Sequence, residues 1–179
     1  MPVFKAGPNQ APEWAEMEQF DIVELKPGET HVFPRIGQRE KLIVGKGWCH
    51  VAWGVDETNA REGANLDIGP DRPYDCFKVV AVLHDTTVIR MAGHWGEETG
   101  GSGIFAGPKV DVDEDRGDAV SYEKRTGFDC HYHDCDEYWI IFEGSGTAVS
   151  EDTHFEIEVG DCVATGMGHH HDMARVREA

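Results

Sequence analysis

Residues 131–137 read HYHDCDE, and this short stretch decides the fold prediction. Side chains two positions apart on a β-strand project from the same face, so His131 and His133 can direct two imidazoles at one point. Glu137 has the same parity and joins them if the strand continues past a small bulge. A His-x-His pair with a carboxylate on the same face is typical of a transition-metal site.

A third imidazole is expected from a neighbouring strand. The segment GDCVATGMGHHH ends in His169, His170 and His171 after a glycine-rich turn, and each of the three is a candidate. Two or three imidazoles with one carboxylate suit Fe, Mn, Co, Ni or Zn, whereas Ca²⁺ prefers oxygen ligands throughout. Cys130 and Cys135 flank the histidine pair and are a weaker alternative as ligands or redox groups.

These residues resemble the two sequence motifs of the cupin superfamily, over roughly residues 118–179. The first motif is matched in order by Gly127, His131, His133, Glu137 and Gly144, with a shorter spacing between the first two. The second is matched by Gly160, Gly168 and His171, with Gly166 in place of a proline and Arg175 in place of an asparagine. The resemblance implies a double-stranded β-helix (jelly roll) and a metal held by His131, His133, Glu137 and His171.

Strand patterns dominate the rest of the chain, so the predicted fold class is all-β. Short β-branched or aromatic runs, bounded mostly by Gly, Pro, Asn or Asp, lie at 41–44, 77–83, 86–91, 138–142 and 155–159. Only residues 11–20 have a weak helical pattern, with Pro12 at a plausible first turn. Many short strands with glycine-rich turns are typical of a β-sandwich or barrel.

The chain divides into two halves that we interpret as related. Glu40, Gly47, Gly63 and Gly69 recur 97 residues later as Glu137, Gly144, Gly160 and Gly166. So long a period indicates a duplicated domain, because solenoid repeats run only about 20–50 residues. The predicted organisation is an N-terminal arm at 1–20, a first cupin half at 21–97, a glycine-rich acidic connector at 98–118 and a metal-binding cupin half at 119–179.

The same offset predicts a first half without metal. The positions that match His131, His133, Glu137 and His171 are Pro34, Ile36, Glu40 and Tyr74, and a slip of one residue brings in Phe33 and Arg35. Only the glutamate is kept in either alignment, so we expect one divalent transition metal per chain. The second copy is 15 residues shorter than the first. We therefore expect its open edge to be covered by the N-terminal segment, the first half or a partner chain.

Composition narrows the expected partners. The chain has 179 residues, with 34 acidic against 16 basic side chains and a formal charge of −18. Such a surface repels phosphate backbones and anionic lipids, so neither nucleic acid nor a membrane is expected as a partner. Five cysteines without a C-x-x-C pattern, and no apolar leader segment, predict a reduced protein in the cytoplasm. Edge strands of such barrels commonly pair between subunits, so a homodimer is expected.

The expected chemistry follows from open positions on the metal. Four protein ligands leave one or two sites for water or a chelating small molecule such as a sugar, a hydroxy-acid or a hydroxy-ketone. The leading hypothesis is a Lewis-acid isomerase, epimerase or lyase, and the alternatives are an Fe(II) dioxygenase and a non-catalytic metal-dependent binding protein. Trp139 and Ile141 share the parity of Glu137 and are expected to line a substrate pocket or to pack in the core. Spacing alone assigns no general base.

Overall fold

All regular structure in the described part of the chain is β-strand, which confirms the all-β prediction. The computed structural model describes residues 2–69, 74–97, 99, 103–104, 132–151 and 153–178. The strands are β1 (Val3–Lys5), β2 (Met17–Leu25), β3 (Thr30–Pro34), β4 (Arg39–Lys46), β5 (Trp48–Trp53), β6 (Asp56–Arg61), β7 (Asn65–Asp67), β8 (Cys76–Ala81), β9 (Thr86–Gly93), β10 (Glu137–Ile140), β11 (Ser145–Ser150), β12 (Thr153–Glu158), β13 (Asp161–Thr165) and β14 (His171–Glu178). These described residues contain no helix long and apolar enough to cross a lipid bilayer.

The chain forms two compact units. The first unit consists of Gly7–Ala11 and Glu16–Ile104, and the second consists of Met1–Ala6, Pro12–Ala15 and Phe105–Ala179. In the first unit, two four-stranded antiparallel sheets have the strand orders β2-β9-β4-β7 and β3-β8-β5-β6. Apolar side chains of both sheets share one buried core: Leu25, Leu42, Val44, Val88, Phe33, Val51, Phe77 and Val79.

The second unit also contains two antiparallel sheets, with the orders β1-β13-β10 and β12-β11-β14. Their shared core is built on Ala148, Ile157, Val163, Met173 and Val176. Strand β1 pairs with β13, which places Phe4 opposite Cys162, and both side chains are buried. Strand β1 thus extends the sheet on the β13 side, whereas a counterpart of β9 would pair with β10, as β9 pairs with β4 in the first unit. The cover of the β10 edge stays a prediction.

The helix predicted for residues 11–20 is wrong. The amide of Ala15 donates a hydrogen bond to the carbonyl of Pro12, which closes one turn, and strand β2 begins at Met17. Strand β2 pairs with β9 along its whole length. The run Asp21–Leu25 contains β-branched residues that fit a half-buried sheet, and this pairing overrides the weak local preference for helix.

The two units share hairpin registers at an offset of 97 residues. Leu42 pairs with Leu66, as Trp139 pairs with Val163, and Trp48 pairs with Arg61, as Ser145 pairs with Glu158. Two of the three repeated glycine pairs have matching backbone conformations, with φ of 83° and 81° at Gly47 and Gly144 and of 82° and 91° at Gly63 and Gly160. These positive φ values favour glycine, so the recurrence has a conformational cause.

Candidate metal centre

Three of the four predicted ligands lie together in the second unit. His133 precedes β10, Glu137 begins β10, and His171 begins β14. One ligand atom from each residue lies within 4.8 Å of the other two. Glu137 is the centre of the group, because its Oε2 lies 3.3 Å from Nε2 of His133 and 2.5 Å from Nε2 of His171. The fourth predicted ligand, His131, lies outside the described residues, as does Cys130.

Backbone contacts hold these three side chains in place. His133 is fixed by a hydrogen bond in which the amide of Gly168 donates to its carbonyl oxygen at 2.8 Å. Strand pairing sets Glu137 opposite Thr165 and His171 opposite Ser150. The β13–β14 connection therefore lies against the segment that carries His133.

The hydrogen bonding of His171 leaves its Nε2 facing the Glu137 carboxylate. Nδ1 of His171 lies 2.9 Å from the carbonyl oxygen of His169, which can only accept, so Nδ1 carries a proton. Nε2 of a neutral ring then presents a lone pair to Oε2 of Glu137, which also carries lone pairs. Two acceptors 2.5 Å apart require a shared cation, either a second proton on the imidazole or a metal ion. In the absence of that proton, Nε2 of His171, Oε2 of Glu137 and Nε2 of His133 are a donor set that fits a transition metal.

The environment keeps Glu137 ionised. Burial raises the pKa of Glu137, but hydrogen bonds from His171 and Trp139, together with the nearby imidazole charges of His171 and His133, outweigh it and lower the pKa below its usual value. An ionised carboxylate beside two imidazole nitrogens is a ligand set for first-row transition metals. A protonated Nδ1 held by a backbone carbonyl is the usual arrangement of a histidine ligand.

Among the described residues, the cluster is exposed on the side of His133 and Glu137. The His171 side chain is 1% exposed, whereas those of His133 and Glu137 are 38% and 32% exposed. A ligand from solution can therefore approach from the side of His133 and Glu137. His170 does not join the cluster through its nearest contacts, because its ring faces Glu151 at 3.6 Å and stands edge-on to Tyr132.

Of the two side chains predicted for the pocket, both pack against the core and Trp139 also lies beside the cluster. Trp139 and Ile141 are partly buried and pack against the core residues of the second unit. The Trp139 ring centroid is 5.4 Å from that of His171. Their role as substrate-pocket residues stays a prediction. Cys135, the weaker ligand candidate, is exposed.

The first unit keeps the glutamate but surrounds it differently. Glu40 is buried, and its Oε1 accepts hydrogen bonds from the amide of Ile36 at 2.9 Å and from Nη1 of Arg90 at 3.3 Å. Its Oε2 accepts a hydrogen bond from the Tyr74 hydroxyl at 3.0 Å. The Arg90 guanidinium also contacts Asp21 through a short hydrogen bond. In the first unit, the cation that faces Glu40 is therefore the guanidinium of Arg90.

The alignment of Tyr74 with His171 is wrong. Trp53 pairs with Phe77 on β5 and β8, and its counterpart Ser150 pairs with His171 on β11 and β14. Phe77 therefore stands at the place of His171. A gapless offset fails there because Ile68 and Phe77 are nine positions apart, whereas Thr165 and His171 are six apart.

Arg90 was missed by the sequence reasoning. It is the one charged residue of the strand pattern TTVIRM. A charge in such a buried strand needs a partner of opposite charge, and this requirement is the signal by which Arg90 could have been found.

Comparison with known proteins gives the family and the fold. No protein-family model matches the chain. The uncharacterized protein y4oW of Sinorhizobium fredii (strain NBRC 101917 / NGR234) is 43% identical over 178 residues, which cover 98% of this chain and 80% of that protein. The chain belongs to the same family as y4oW.

Several solved structures are similar to this chain. An oxalate decarboxylase has a TM-score of 0.54 at 12% identity, over 90% of this chain and 66% of that one. A putative glyoxylate-induced protein from Pseudomonas aeruginosa has a TM-score of 0.53 at 15% identity, over 98% and 78%. A cupin 2 conserved barrel domain protein from Leptotrichia buccalis has a TM-score of 0.44 at 12% identity, over 89% and 78%. At these identities the likeness concerns the fold alone, and the two structures with TM-scores above 0.5 support the predicted all-β fold.

Proposed function

We propose that the second unit holds one divalent transition metal and acts on a small oxygen-rich metabolite. The observation that carries this proposal is the convergence of His133, Glu137 and His171 within 4.8 Å, with Nε2 of His171 directed at the carboxylate. His131 is proposed as the fourth ligand. The metal, when bound, supplies a Lewis acid that polarises a carbonyl or hydroxyl oxygen of the substrate.

The chain's own residues fix how a substrate reaches this centre. His171 is buried and closes the inner side, while His133 and Glu137 are partly exposed and leave the outer side accessible. Two or three neutral imidazoles and one carboxylate leave a divalent ion with a net charge of about +1. Such a centre favours substrates with adjacent oxygens, such as a sugar, a hydroxy-acid or a hydroxy-ketone. Oxalate, named in one structural relative, is a molecule of this kind.

We also propose that the two units are duplicated cupin halves and that the first has no metal. The shared hairpin registers and the repeated left-handed glycines support a common origin. Phe77 stands in place of His171, and the Arg90 guanidinium already neutralises Glu40. One metal per chain follows. We further propose that the protein is a homodimer in the cytoplasm and that its partner is a small molecule.

The test begins with the metal and continues with turnover. The protein is purified without a chelator, its metal is identified and counted by mass spectrometry, and O₂ uptake and product formation are followed with sugars, hydroxy-acids, catechols and thiols. We expect about one Mn, Co, Ni or Zn per chain and isomerisation, epimerisation or cleavage without O₂ uptake. Glu137→Gln should remove both the metal and the activity, and the matched control Glu156→Gln, on an exposed part of β12, should keep both.

Other outcomes contradict the proposal in different ways. Iron with O₂ consumption indicates a dioxygenase. Ligand-induced thermal shifts without turnover indicate a binding protein. A second tightly held metal that survives His131→Ala with His133→Ala contradicts the metal-free first unit.

A further inference from the structure

Trp139 contacts two of the three clustered ligand residues. It lies two residues after Glu137 on β10, so both side chains project from the same face of the strand. Its indole N–H donates a hydrogen bond to the Glu137 carboxylate. Its ring packs against the imidazole of His171 with centroids 5.4 Å apart and an interplanar angle of 67°.

We propose that Trp139 is a positioning residue that holds Glu137 and His171 in their metal-binding orientation. This inference rests on the proposed function, because it requires that the cluster binds a metal. It assigns to Trp139 a role in metal affinity that is separate from lining a substrate pocket.

The chemistry of indole suits this role. Its N–H is a donor only, so it can fix a carboxylate by a hydrogen bond and cannot compete with the carboxylate for the metal. The hydrogen bond restricts rotation of the Glu137 carboxylate, while Oε2 stays directed at His133 and His171. Groups that orient metal ligands in this way typically change metal affinity by about 10–100-fold when they are removed.

The ring itself is held by the core. Trp139 packs against the apolar cluster of the second unit, and strand pairing places it opposite Val163. Burial of the ring body with its polar end bonded is the usual arrangement of a partly buried tryptophan. A donor anchored in this way loses little conformational entropy when the metal binds.

The first unit provides an internal comparison. Leu42 pairs with Leu66 in the register in which Trp139 pairs with Val163, so Leu42 stands at the place of Trp139. Leucine has no side-chain donor, and Glu40 receives its side-chain hydrogen bonds from Arg90 and Tyr74 instead. The indole donor is therefore present beside Glu137, which faces two imidazoles, and is absent at the equivalent position beside Glu40.

The test separates the hydrogen bond from the packing of the ring. Trp139→Phe keeps an aromatic ring without the N–H, and Trp139→Gln keeps an N–H donor without the ring. Co²⁺ is added to the metal-free full-length chain. Its dissociation constant is measured by competition with a chelator, and the visible absorption bands of the bound ion are recorded. We expect about 10–100-fold weaker binding and altered bands for Trp139→Phe, with part of the affinity recovered in Trp139→Gln. The control Trp48→Phe, in the first unit, should bind Co²⁺ as the wild type does.

A second measurement uses the wild-type chain and so does not depend on a variant that folds. The indole ¹H–¹⁵N resonance of Trp139, one of five tryptophans, is followed during titration with Zn²⁺. We expect a hydrogen-bonded resonance that shifts at one equivalent. Tight Co²⁺ binding by Trp139→Phe with unchanged bands, or an indole resonance that Zn²⁺ does not move, overturns this inference and leaves the metal proposal standing. No binding of either metal by the wild type overturns both.

Discussion

Arg90 and Glu40 form a buried ion pair in the first unit, with Nη1 of Arg90 3.3 Å from Oε1 of Glu40 and side chains that are 4% and 0% exposed. Glu40 lies next to the Lys41–Asp67 pair of β4 and β7, and its carbonyl oxygen accepts a hydrogen bond from the amide of Ile68, which is the register in which Glu137 lies opposite Thr165 in the second unit. A buried carboxylate needs a nearby cation, because burying an unpaired charge is costly. A guanidinium meets that need in the first unit, and we propose that a metal ion meets it in the second.

The first prediction follows from this pair. Arg90→Met leaves Glu40 and Asp21 without their common cation, so we expect the free energy of unfolding to fall by about 3–5 kcal/mol. Glu40→Gln should recover part of this loss when it is added to Arg90→Met, because the uncompensated charge is removed. Urea unfolding of the single and double variants measures the coupling. Additive losses would contradict a paired role for the two side chains.

A matched control for this prediction is the exposed pair of Lys26 and Asp85. Its Nζ–Oδ2 distance is 2.6 Å, but the two side chains are 71% and 63% exposed. Solvent screens such a pair, so Lys26→Met should leave the unfolding midpoint nearly unchanged.

Much of the fold and part of the site could be predicted from local patterns. The parity of Glu137 and Trp139 on a strand is a local property, and the structure places them on one face beside His171. Two of the repeated glycine pairs, Gly47 with Gly144 and Gly63 with Gly160, adopt positive φ values, so their recurrence has a local conformational cause. Arg90 could not be paired with Glu40 in this way, because the contact joins residues 50 positions apart.

The remaining errors also arise because local sequence does not determine how distant strands pair. Tyr74 was aligned with His171 because a gapless offset cannot detect extra residues between two strands. The pairing of β1 with β13 joins residues about 160 positions apart, as between Val3 and Val163, and nothing in the local sequence specifies it. The helix predicted at 11–20 reflected a weak local preference that sheet pairing overrides.

The second prediction concerns metal and thermal stability. A metal that binds the folded state alone raises the free energy of unfolding by about 2.7 kcal/mol when its free concentration is 100 times its dissociation constant. We therefore expect chelation to lower the melting temperature and one equivalent of Zn²⁺ or Mn²⁺ to restore it. His133→Ala should abolish the response, since His133 Nε2 faces Glu137. His50→Ala, at a partly exposed histidine of the first unit, should retain it. An unchanged response in His133→Ala would contradict its role as a ligand.

The third prediction concerns thiol reactivity. Burial raises the pKa of Cys49 to about 11 and raises that of Cys162 well above its usual value. Because the thiolate is the reactive form, both should resist iodoacetamide at pH 8 in the folded protein. Cys76 and Cys135 are exposed and should be alkylated. Peptide mapping by mass spectrometry distinguishes the sites, and all should react in urea. Native alkylation of Cys49 as fast as that of Cys76 would show that the first core opens readily.

Cys135 should react more slowly than free cysteine in the same experiment. The pKa of the Cys135 thiol is raised by its slight burial and then by the negative charges of Asp134, Glu137 and Asp136. A smaller fraction of the thiol is therefore ionised at pH 8. Neutralising one neighbour in Asp134→Asn should speed its alkylation. An unchanged rate would show that these charges do not act on the thiol.

The last prediction is a loss of stability at alkaline pH that depends on Tyr74. Burial, followed by the charge of Glu40 and the hydrogen bond to it, raises the pKa of the Tyr74 hydroxyl well above its usual value. The folded state thus holds this proton more tightly than the unfolded state does. The resulting stability is fully present below the unfolded pKa of about 10 and is lost progressively as the pH rises above it. Urea unfolding between pH 8 and pH 11 should show this decline. Tyr74→Phe should be less stable at pH 8, because Glu40 loses a donor, and should decline less steeply above pH 10. Equal slopes for the two proteins would show that Tyr74 ionises in the folded state as readily as in the unfolded chain.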